Sequence, residues 1–202
     1  MTTQLILASA SPRRKELLAQ LGIACFVKAV DIDETPLPNE LPFAYVQRIA
    51  AEKSAACLAV YDGNLPILAA DTSVVLHHQI MGKPQNEHHA QEMLLQLSGT
   101  THQVYSAVSV RCPDLSGFKN LTGLTHWEAV NITDVTFRTL TATEIAAYWQ
   151  TGEPCDKAGG YAIQGLGSIF VEKIVGSFSS VMGLPLFETA QLLTKLGISV
   201  IK

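Results

Sequence analysis

Apolar and polar positions alternate along the chain in blocks that predict strands and helices in turn. The apolar run 5–8 is followed by Ser11, Pro12 and a helical stripe of leucines that ends before Gly22. Serine followed by proline is typical of a helix start, because serine caps free N–H groups and proline fits the first turn. The first segment therefore predicts a strand, a short turn and a helix.

The alternation continues and predicts an α/β or α+β architecture. A glycine-rich stretch, 152–183, predicts strands joined by close turns. The remaining predicted elements are a strand from Cys25 with a Pro-rich acidic loop after it, a helix over about 43–60, a buried strand at 65–76, a short return strand at 80–84, a helix capped by Asn86 and ended by Gly99, strands at 102–112 and 127–140, a helix with a Thr141–Glu144 capping box, and a helix over 185–196.

Composition narrows the class of protein. The 202 residues are 48% hydrophobic and 16% charged, which suits one large globular domain or two closely packed lobes. A net charge of −4 gives no overall basic field, so we expect no nucleic-acid partner. No apolar run approaches the ~20 residues of a membrane span, so we expect no membrane association. The four scattered cysteines indicate reduced thiols and a cytoplasmic location.

A carboxylate interrupts the most apolar strand. Asp71 lies within "PILAADTSVV", where an unpaired charge is costly enough that it normally finds a cation or changes protonation state. Two interpretations stay open at this point. Asp71 is either a structural residue satisfied by backbone N–H groups near a strand end, or a catalytic base or metal ligand.

Cations recur at unusual places. Lys53 lies on the inward stripe of the helix over 43–60, where it either extends to solvent at the edge of the stripe or binds a ligand. Lys83 follows Gly82 in a "GKP" turn, which alone is a weak signal. Arg13 and Arg14 occupy a helix start, where the dipole disfavours positive charge.

These cations, a buried carboxylate and the acidic turn 31–34 together indicate phosphoanhydride chemistry. Cations beside a helix N-terminus suit a polyphosphate, and carboxylates suit the Mg²⁺ that accompanies it. The familiar P-loop and dinucleotide-binding signatures are absent from the sequence.

Seven ordered motifs give the chain a resemblance to a known family. The motifs are "LASASPRRKELL", "DETP", "AAEKSAA", "AADTSVV", "GKP", "DKAGGYAIQG" and "VMGLPL". Their order and spacing resemble those of the Maf family of nucleoside triphosphate pyrophosphatases, also called septum formation inhibitor-like proteins. The resemblance implies one Maf-like domain over 1–202, with an α/β fold similar to inosine triphosphate pyrophosphatases: a curved mixed β-sheet flanked by helices, and two lobes with a central cleft.

The resemblance also implies an activity and its residues. The family, with a house-cleaning role, hydrolyses a nucleoside triphosphate to the monophosphate and pyrophosphate with a divalent cation, Mg²⁺ or Mn²⁺. Asp71 is expected to accept a proton from the attacking water and, with Glu34, to bind the metal. The expected phosphate-binding residues are Ser9, Arg13, Arg14, Lys53 and Lys83. We further expect a homodimer.

Three positions separate the subtypes of the family. Arg13, Thr72 and Gln164 match the subtype that acts on dTTP and UTP, whereas a subtype acting on 7-methyl-GTP tends to carry Trp, Gln and Glu there. A Gln amide offers both a donor and an acceptor to a pyrimidine edge. The alternatives are the 7-methyl-GTP activity and a nucleotide-binding regulator of cell division without turnover. The connection "DLSGFKNLTGLTHWEAV" is longer than the family pattern and carries no motif.

Overall fold

A computed structural model of the chain describes residues 3–113 and 125–200. Most of the long connection, 114–124, lies outside the described residues. The described strands are β1 (Leu5–Leu7), β2 (Cys25–Val27), β3 (Ile67–Leu76), β4 (Gln79–Met81), β5 (Thr101–Arg111), β6 (His126–Phe137) and β7 (Val171–Val175). The described α-helices are α1 (Pro12–Gln20), α2 (Pro42–Ala59), α3 (Glu87–Leu97), α4 (Ala142–Gln150), α5 (Phe178–Met182) and α6 (Leu186–Lys195).

The described strands form one mixed sheet. Its order is β2-β1-β3-β5-β6-β7, and β4 pairs with β3. The pairs β1 with β2 and β1 with β3 are parallel, whereas β3 with β4 and β6 with β7 are antiparallel. The parallel pairs need helical crossovers, and α1 and α2 supply them between β1, β2 and β3. The predicted mixed α/β architecture is confirmed.

Two helix starts follow local sequence rules closely. The Asn86 side chain accepts a hydrogen bond from the N–H of His89 at 2.9 Å and caps α3. At α4 the Thr141 hydroxyl accepts from the N–H of Glu144, whose carboxylate accepts from the N–H of Thr141 in return. The predicted cap and capping box are therefore confirmed.

The prediction for 152–183 is wrong in most of its length. Instead of several strands, the segment contains three short 3₁₀ helices, Glu153–Asp156, Ala158–Gly160 and Leu166–Phe170, followed by β7 and α5. Glycines in this stretch signal turns, but a 3₁₀ helix and a turn share local geometry and the same residue preferences. The periodicity could not separate them.

The chain divides into two compact units. Unit 1 contains the described residues up to Asp71, those from 106 to 131 and those after Met182, while unit 2 contains 72–105 and 132–182. This division agrees with the expected two lobes, and the central cleft stays a prediction. Within unit 1, Ile6, Ala8, Cys57, Ile67 and Ala69 form an apolar cluster between the first strands and α2. The larger cluster of unit 2 includes Leu94, Leu97, Val135, Phe137, Ile145 and Phe170.

Among the described helices, none combines the length and the apolar character that crossing a membrane requires.

Candidate functional site

The start of α1 is organised by Ser9. The Ser9 hydroxyl accepts a hydrogen bond from the N–H of Ser11 at 3.2 Å and another from Arg14 Nη1 at 3.0 Å. Arg14 Nε donates to the main-chain oxygen of Gly183 at 2.8 Å. Ser11 occupies the predicted cap position, but its side chain makes no capping hydrogen bond within the described residues. These contacts fix the Arg14 guanidinium in the first turn of the helix.

Arg14 is mostly buried at the positive end of α1. Burial lowers the pKa of this guanidinium, and the nearby charge of Asp71 acts in the opposite direction. The charge of Arg13, which is partly exposed, lowers the Arg14 pKa further, and that of Glu34 raises it. The two carboxylates therefore offset part of the cost of a cation that the helix dipole disfavours.

Lys53 joins the two candidate metal ligands. Its Nζ lies 2.9 Å from Asp71 Oδ1 and 2.8 Å from Glu34 Oε1. Asp71 is 6% exposed, whereas the Glu34 side chain is 49% exposed. The buried carboxylate on β3 thus has the cation partner that its burial requires, and the Lys53 ammonium is turned inward from α2.

Tyr45 also belongs to this cluster, although no motif points to it. Its hydroxyl donates to the main-chain oxygen of Glu34 at 2.9 Å. Burial, together with the negative charges of Asp71 and Glu34, raises the pKa of this phenol to about 12. A signal does exist in the sequence, because Tyr45, Ile49 and Lys53 recur at four-residue steps and lie on one face of α2.

Unit 2 carries the other predicted residues. Thr72 follows Asp71 on β3 and is partly buried, while Lys83 is exposed just after β4. The oxygen of Gly82 accepts a hydrogen bond from the N–H of Gly159 at 3.0 Å, so the "GKP" and "DKAGG" segments are joined. Gly159 has a φ of +67°, and a Cβ there would lie 2.9 Å from the Val74 side chain. Both facts require glycine at this contact.

Gln164 is exposed in the turn 161–165, and buried side chains bind this turn. The N–H of Ala162 donates to the Tyr148 hydroxyl at 3.1 Å. The hydroxyl of Tyr161 lies 2.7 Å from His102 Nε2, and the His102 ring is 1% exposed. Gln164 is thus exposed on a turn that is anchored to buried aromatic side chains.

Glu153 completes the support of this turn. Its Oε1 accepts from the Tyr148 hydroxyl at 2.6 Å and from the N–H of Gly167 at 2.9 Å. Its Oε2 accepts from the N–H of Leu166 at 2.9 Å. The sequence gives no sign of this role, because an acidic residue after a helix is usually solvated.

The described structure brings the predicted residues together in two groups. Ser9, Arg14, Glu34, Lys53 and Asp71 interact within unit 1, and Arg13 stands next to them. Thr72, Lys83 and Gln164 lie in unit 2.

Two residues of the unit 1 cluster could hold a divalent cation. The carboxylates of Glu34 and Asp71 both contact the Lys53 ammonium, so both can reach a single cation. Carboxylate oxygens are the ligands that Mg²⁺ prefers. Among the described residues, no group of three His, Cys, Asp or Glu side chains is arranged to hold a metal. Mg²⁺ commonly takes one or two carboxylates and completes its shell with substrate phosphates and water.

Comparisons with known proteins cover nearly the whole chain. The family model described as "Maf-like protein" matches residues 4–196. A protein of Methylococcus capsulatus named dTTP/UTP pyrophosphatase is 51% identical over 195 residues, 96% of this chain and 92% of that protein. Proteins with the same name from Pseudoalteromonas translucida and Vibrio cholerae are 51% and 47% identical, covering 96% of this chain in both cases and 97% and 98% of their own lengths.

Solved structures also match, at low sequence identity. The Ham1 protein of Staphylococcus aureus has a TM-score of 0.45 and 16% identity, over 83% of this chain and 79% of that one. A nucleoside-triphosphatase, or dITP/XTP pyrophosphatase, from Mycobacterium abscessus has a TM-score of 0.46 and 12% identity, over 95% and 93%. The family model and the near full-length relatives, together with the motif residues gathered in the two units, place the chain in the Maf family.

Proposed function

We propose that the protein hydrolyses dTTP and UTP at the bond between the α and β phosphates, releasing the nucleoside monophosphate and pyrophosphate, in a house-cleaning role. The observation that carries this proposal is the cluster in unit 1, where Lys53 joins Asp71 and Glu34 beside the Ser9–Arg14 pair. The shared name of relatives about half identical to this chain supports the substrate.

Asp71 is the proton acceptor in this proposal. It removes a proton from the attacking water while the α–β phosphoanhydride bond breaks and pyrophosphate leaves. Burial on β3 fixes the carboxylate, and the Lys53 ammonium orients it through the hydrogen bond to Oδ1. A rigid base with one held oxygen has a defined direction for its proton transfer.

The cations bind the phosphates. Arg14 is held by Ser9 and Gly183, so its guanidinium is oriented before a ligand arrives, and Arg13 adds charge at the same helix start. Preorganised donors stabilise charge that develops on a leaving group more than mobile ones do. Ser9, Lys53 and Lys83 complete the proposed phosphate contacts.

Glu34 and Asp71 would hold Mg²⁺ or Mn²⁺. When bound, the cation supplies positive charge that neutralises the phosphate oxygens. Lys53 contacts both carboxylates and would keep them close together before the metal binds.

Arg13, Thr72 and Gln164 are the proposed specificity residues. The exposed amide of Gln164 can donate and accept hydrogen bonds, which matches the mixed edge of thymine or uracil. A guanine edge presents mainly donors, and a carboxylate would suit it better.

We also propose that the chain acts as one Maf-like domain over 1–202, in the cytoplasm and as a homodimer. All four cysteines are free thiols, in keeping with a reducing compartment. Sedimentation equilibrium of the purified chain would give the mass of a dimer, and a monomer mass at micromolar concentration would refute that part.

The test of the proposed function is a panel of triphosphates at matched concentration: dTTP, UTP, CTP, GTP, dITP and 7-methyl-GTP, with Mg²⁺, Mn²⁺ or neither. We expect pyrophosphate release from dTTP and UTP, and loss of turnover without metal. Preference for 7-methyl-GTP would refute the substrate, and retention of nucleotide without pyrophosphate release would favour the regulator.

A further inference from the structure

The loop that carries Glu34 has no regular secondary structure over 28–37. Local contacts shape it, because Asp33 Oδ1 accepts from the N–H of Thr35 at 2.9 Å and Glu40 Oε2 accepts from the N–H of Leu37 at 3.0 Å. These contacts bend the loop but do not place it against the rest of unit 1. The half-exposed Glu34 side chain is not fixed by burial either, so other contacts must set its position.

Two consecutive peptide oxygens of this loop are bound by α2. The oxygen of Glu34 accepts from the Tyr45 hydroxyl at 2.9 Å, and the oxygen of Thr35 accepts from Arg48 Nη2 at 3.2 Å. Arg48 is itself held by Glu40, with Nε 2.6 Å from Oε1 and Nη2 2.7 Å from Oε2. Its guanidinium carbon lies 5.6 Å from the centre of the Tyr45 ring. Tyr45 and Arg48 therefore hold the main chain at Glu34 and at Thr35. These two hydrogen bonds are called the grip.

The same helix also binds the other end of Glu34. Lys53, which contacts the Glu34 carboxylate, lies eight residues after Tyr45 on one face of α2, a rise of about 12 Å. The main chain and the carboxylate of Glu34 are thus both bound by side chains of the same helix, α2.

From this geometry we infer that Tyr45 and Arg48 are positioning residues, which set the Glu34 carboxylate against Lys53 and Asp71. This inference rests on the proposed function for its catalytic consequence. Neither residue needs to touch substrate.

The grip itself is tested without any activity. In Tyr45→Phe, hydrogen exchange of the Thr35 and Leu37 amides should accelerate about fivefold to tenfold, the effect of one lost hydrogen bond. Tyr61→Phe is the matched control, since the Tyr61 hydroxyl also contacts main chain in unit 1, accepting from the N–H of Leu65 at 3.3 Å. Equal exchange in Tyr45→Phe and wild type would overturn the grip.

The catalytic consequence is tested by a double-mutant cycle on pyrophosphate release from dTTP. Tyr45→Phe should lower kcat/KM about tenfold to a hundredfold, the effect of a misplaced group, whereas Tyr61→Phe should leave it within twofold. In the Glu34→Gln background, Tyr45→Phe should lower kcat/KM less than about twofold, because Tyr45 is proposed to act only through the Glu34 carboxylate, which that background lacks.

Each failure has its own signature. The same fold loss in both backgrounds would mean a structural role unconnected with Glu34 and would overturn the inference. Arg48→Lys keeps the positive charge but loses the planar guanidinium that contacts both Thr35 and Glu40, so hydrogen exchange of the Thr35 amide should accelerate in this variant as well. Unchanged exchange would show that Arg48 is not a positioning residue. A wild-type protein that releases no pyrophosphate would refute the proposed function, while the exchange result would still decide the grip.

Discussion

The loop around Glu34 in unit 1 and the turn around Gln164 in unit 2 both present an exposed polar side chain from irregular main chain. Each is fixed by a tyrosine hydroxyl. Tyr45 donates to the oxygen of Glu34, whereas Tyr148 accepts from the N–H of Ala162. The other supports differ in kind. The ion pair of Arg48 with Glu40 helps to hold the loop, while the turn is held by aromatic side chains and by the Glu153 carboxylate, which accepts from neutral donors.

The difference corresponds to what each region is proposed to bind. The loop belongs to a cluster of full charges, whose balance would change on binding of the proposed phosphates or metal. The turn rests on His102, whose pKa burial lowers to about 4, and on Tyr161, whose pKa burial raises. Both groups stay neutral at pH 7, so neither changes its charge when a ligand binds nearby. A region that responds to charge would suit the proposed phosphates, and a turn held without an ion pair would suit the proposed selection of a base.

The largest expected effect tests the charged region. Asp71→Asn keeps the size of the side chain but removes the proposed proton acceptor, so kcat for dTTP should fall about a thousandfold. KM at saturating Mg²⁺ should change less than kcat, because the proposed phosphate-binding cations remain and only one of the two proposed metal ligands is neutralised. Steady-state release of pyrophosphate measures both constants.

Asp134→Asn is the matched control for that variant. Asp134 is also a strand aspartate that accepts one side-chain hydrogen bond, from Gln103 Nε2 at 3.2 Å, although it is less buried than Asp71. Its kcat should stay within about twofold of wild type. Wild-type turnover in Asp71→Asn would remove the proton-acceptor role.

The next effect tests the turn around Gln164. Glu153→Gln leaves one oxygen for the three donors that the carboxylate now accepts, and turns an amide N–H₂ toward Tyr148, Leu166 or Gly167. We expect a loss of about 2 kcal/mol in the free energy of unfolding, since each bond to a charged acceptor contributes strongly. KM for dTTP should rise more than kcat falls.

Urea unfolding and steady-state kinetics check this variant. Glu172→Gln, at an exposed position of β7, is the control and should match wild type in both. An unchanged unfolding free energy in Glu153→Gln would contradict the support assigned to Glu153.

The pH dependence of stability is a third test. The folded pKa of His102, about 4, lies below its unfolded value of 6.5, so the unfolded chain takes up a proton first as the pH falls. Protonation would bury an additional N–H, and Nδ1 has no hydrogen-bond partner within the described residues. The stabilisation is complete above pH 6.5 and is lost between 6.5 and 4. Linkage gives a loss of about 2 kcal/mol between pH 7.5 and 5.

His102→Gln should remove most of that pH dependence, because an amide can still meet the Tyr161 hydroxyl without titrating. Urea unfolding of both proteins at the two pH values measures the difference. His126, whose pKa is lowered first by burial, adds to the slope in both proteins and cancels in the comparison. Parallel slopes for variant and wild type would show that His102 is not a buried neutral ring.

The two regions also differ in how far the sequence predicts them. Asn86 and Thr141 are recognisable because a cap is a contact within three residues. The charges at Lys53 and Asp71 are recognisable because they stand in apolar patterns. The spacing of Tyr45 places it on the Lys53 face of α2 but does not predict its bond to the Glu34 main chain, and nothing predicts the bonds of Glu153 to main-chain N–H groups, which any residue would supply. Their contacts depend on the tertiary fold.

The smallest expected effect separates the regions directly. Raising KCl from 0.1 to 1 M shortens the Debye length from about 10 to 3 Å and weakens the ion pair of Arg48 with Glu40. Exchange of the Thr35 and Leu37 amides should then accelerate, by less than about threefold because the pair is mostly buried. The amides of Leu166 and Gly167 donate to a fixed carboxylate without an ion pair in between, so their rates should stay constant. Equal acceleration of all four amides would mean that salt loosens the whole protein, and that the contrast between a loop held by an ion pair and a turn held without one is wrong.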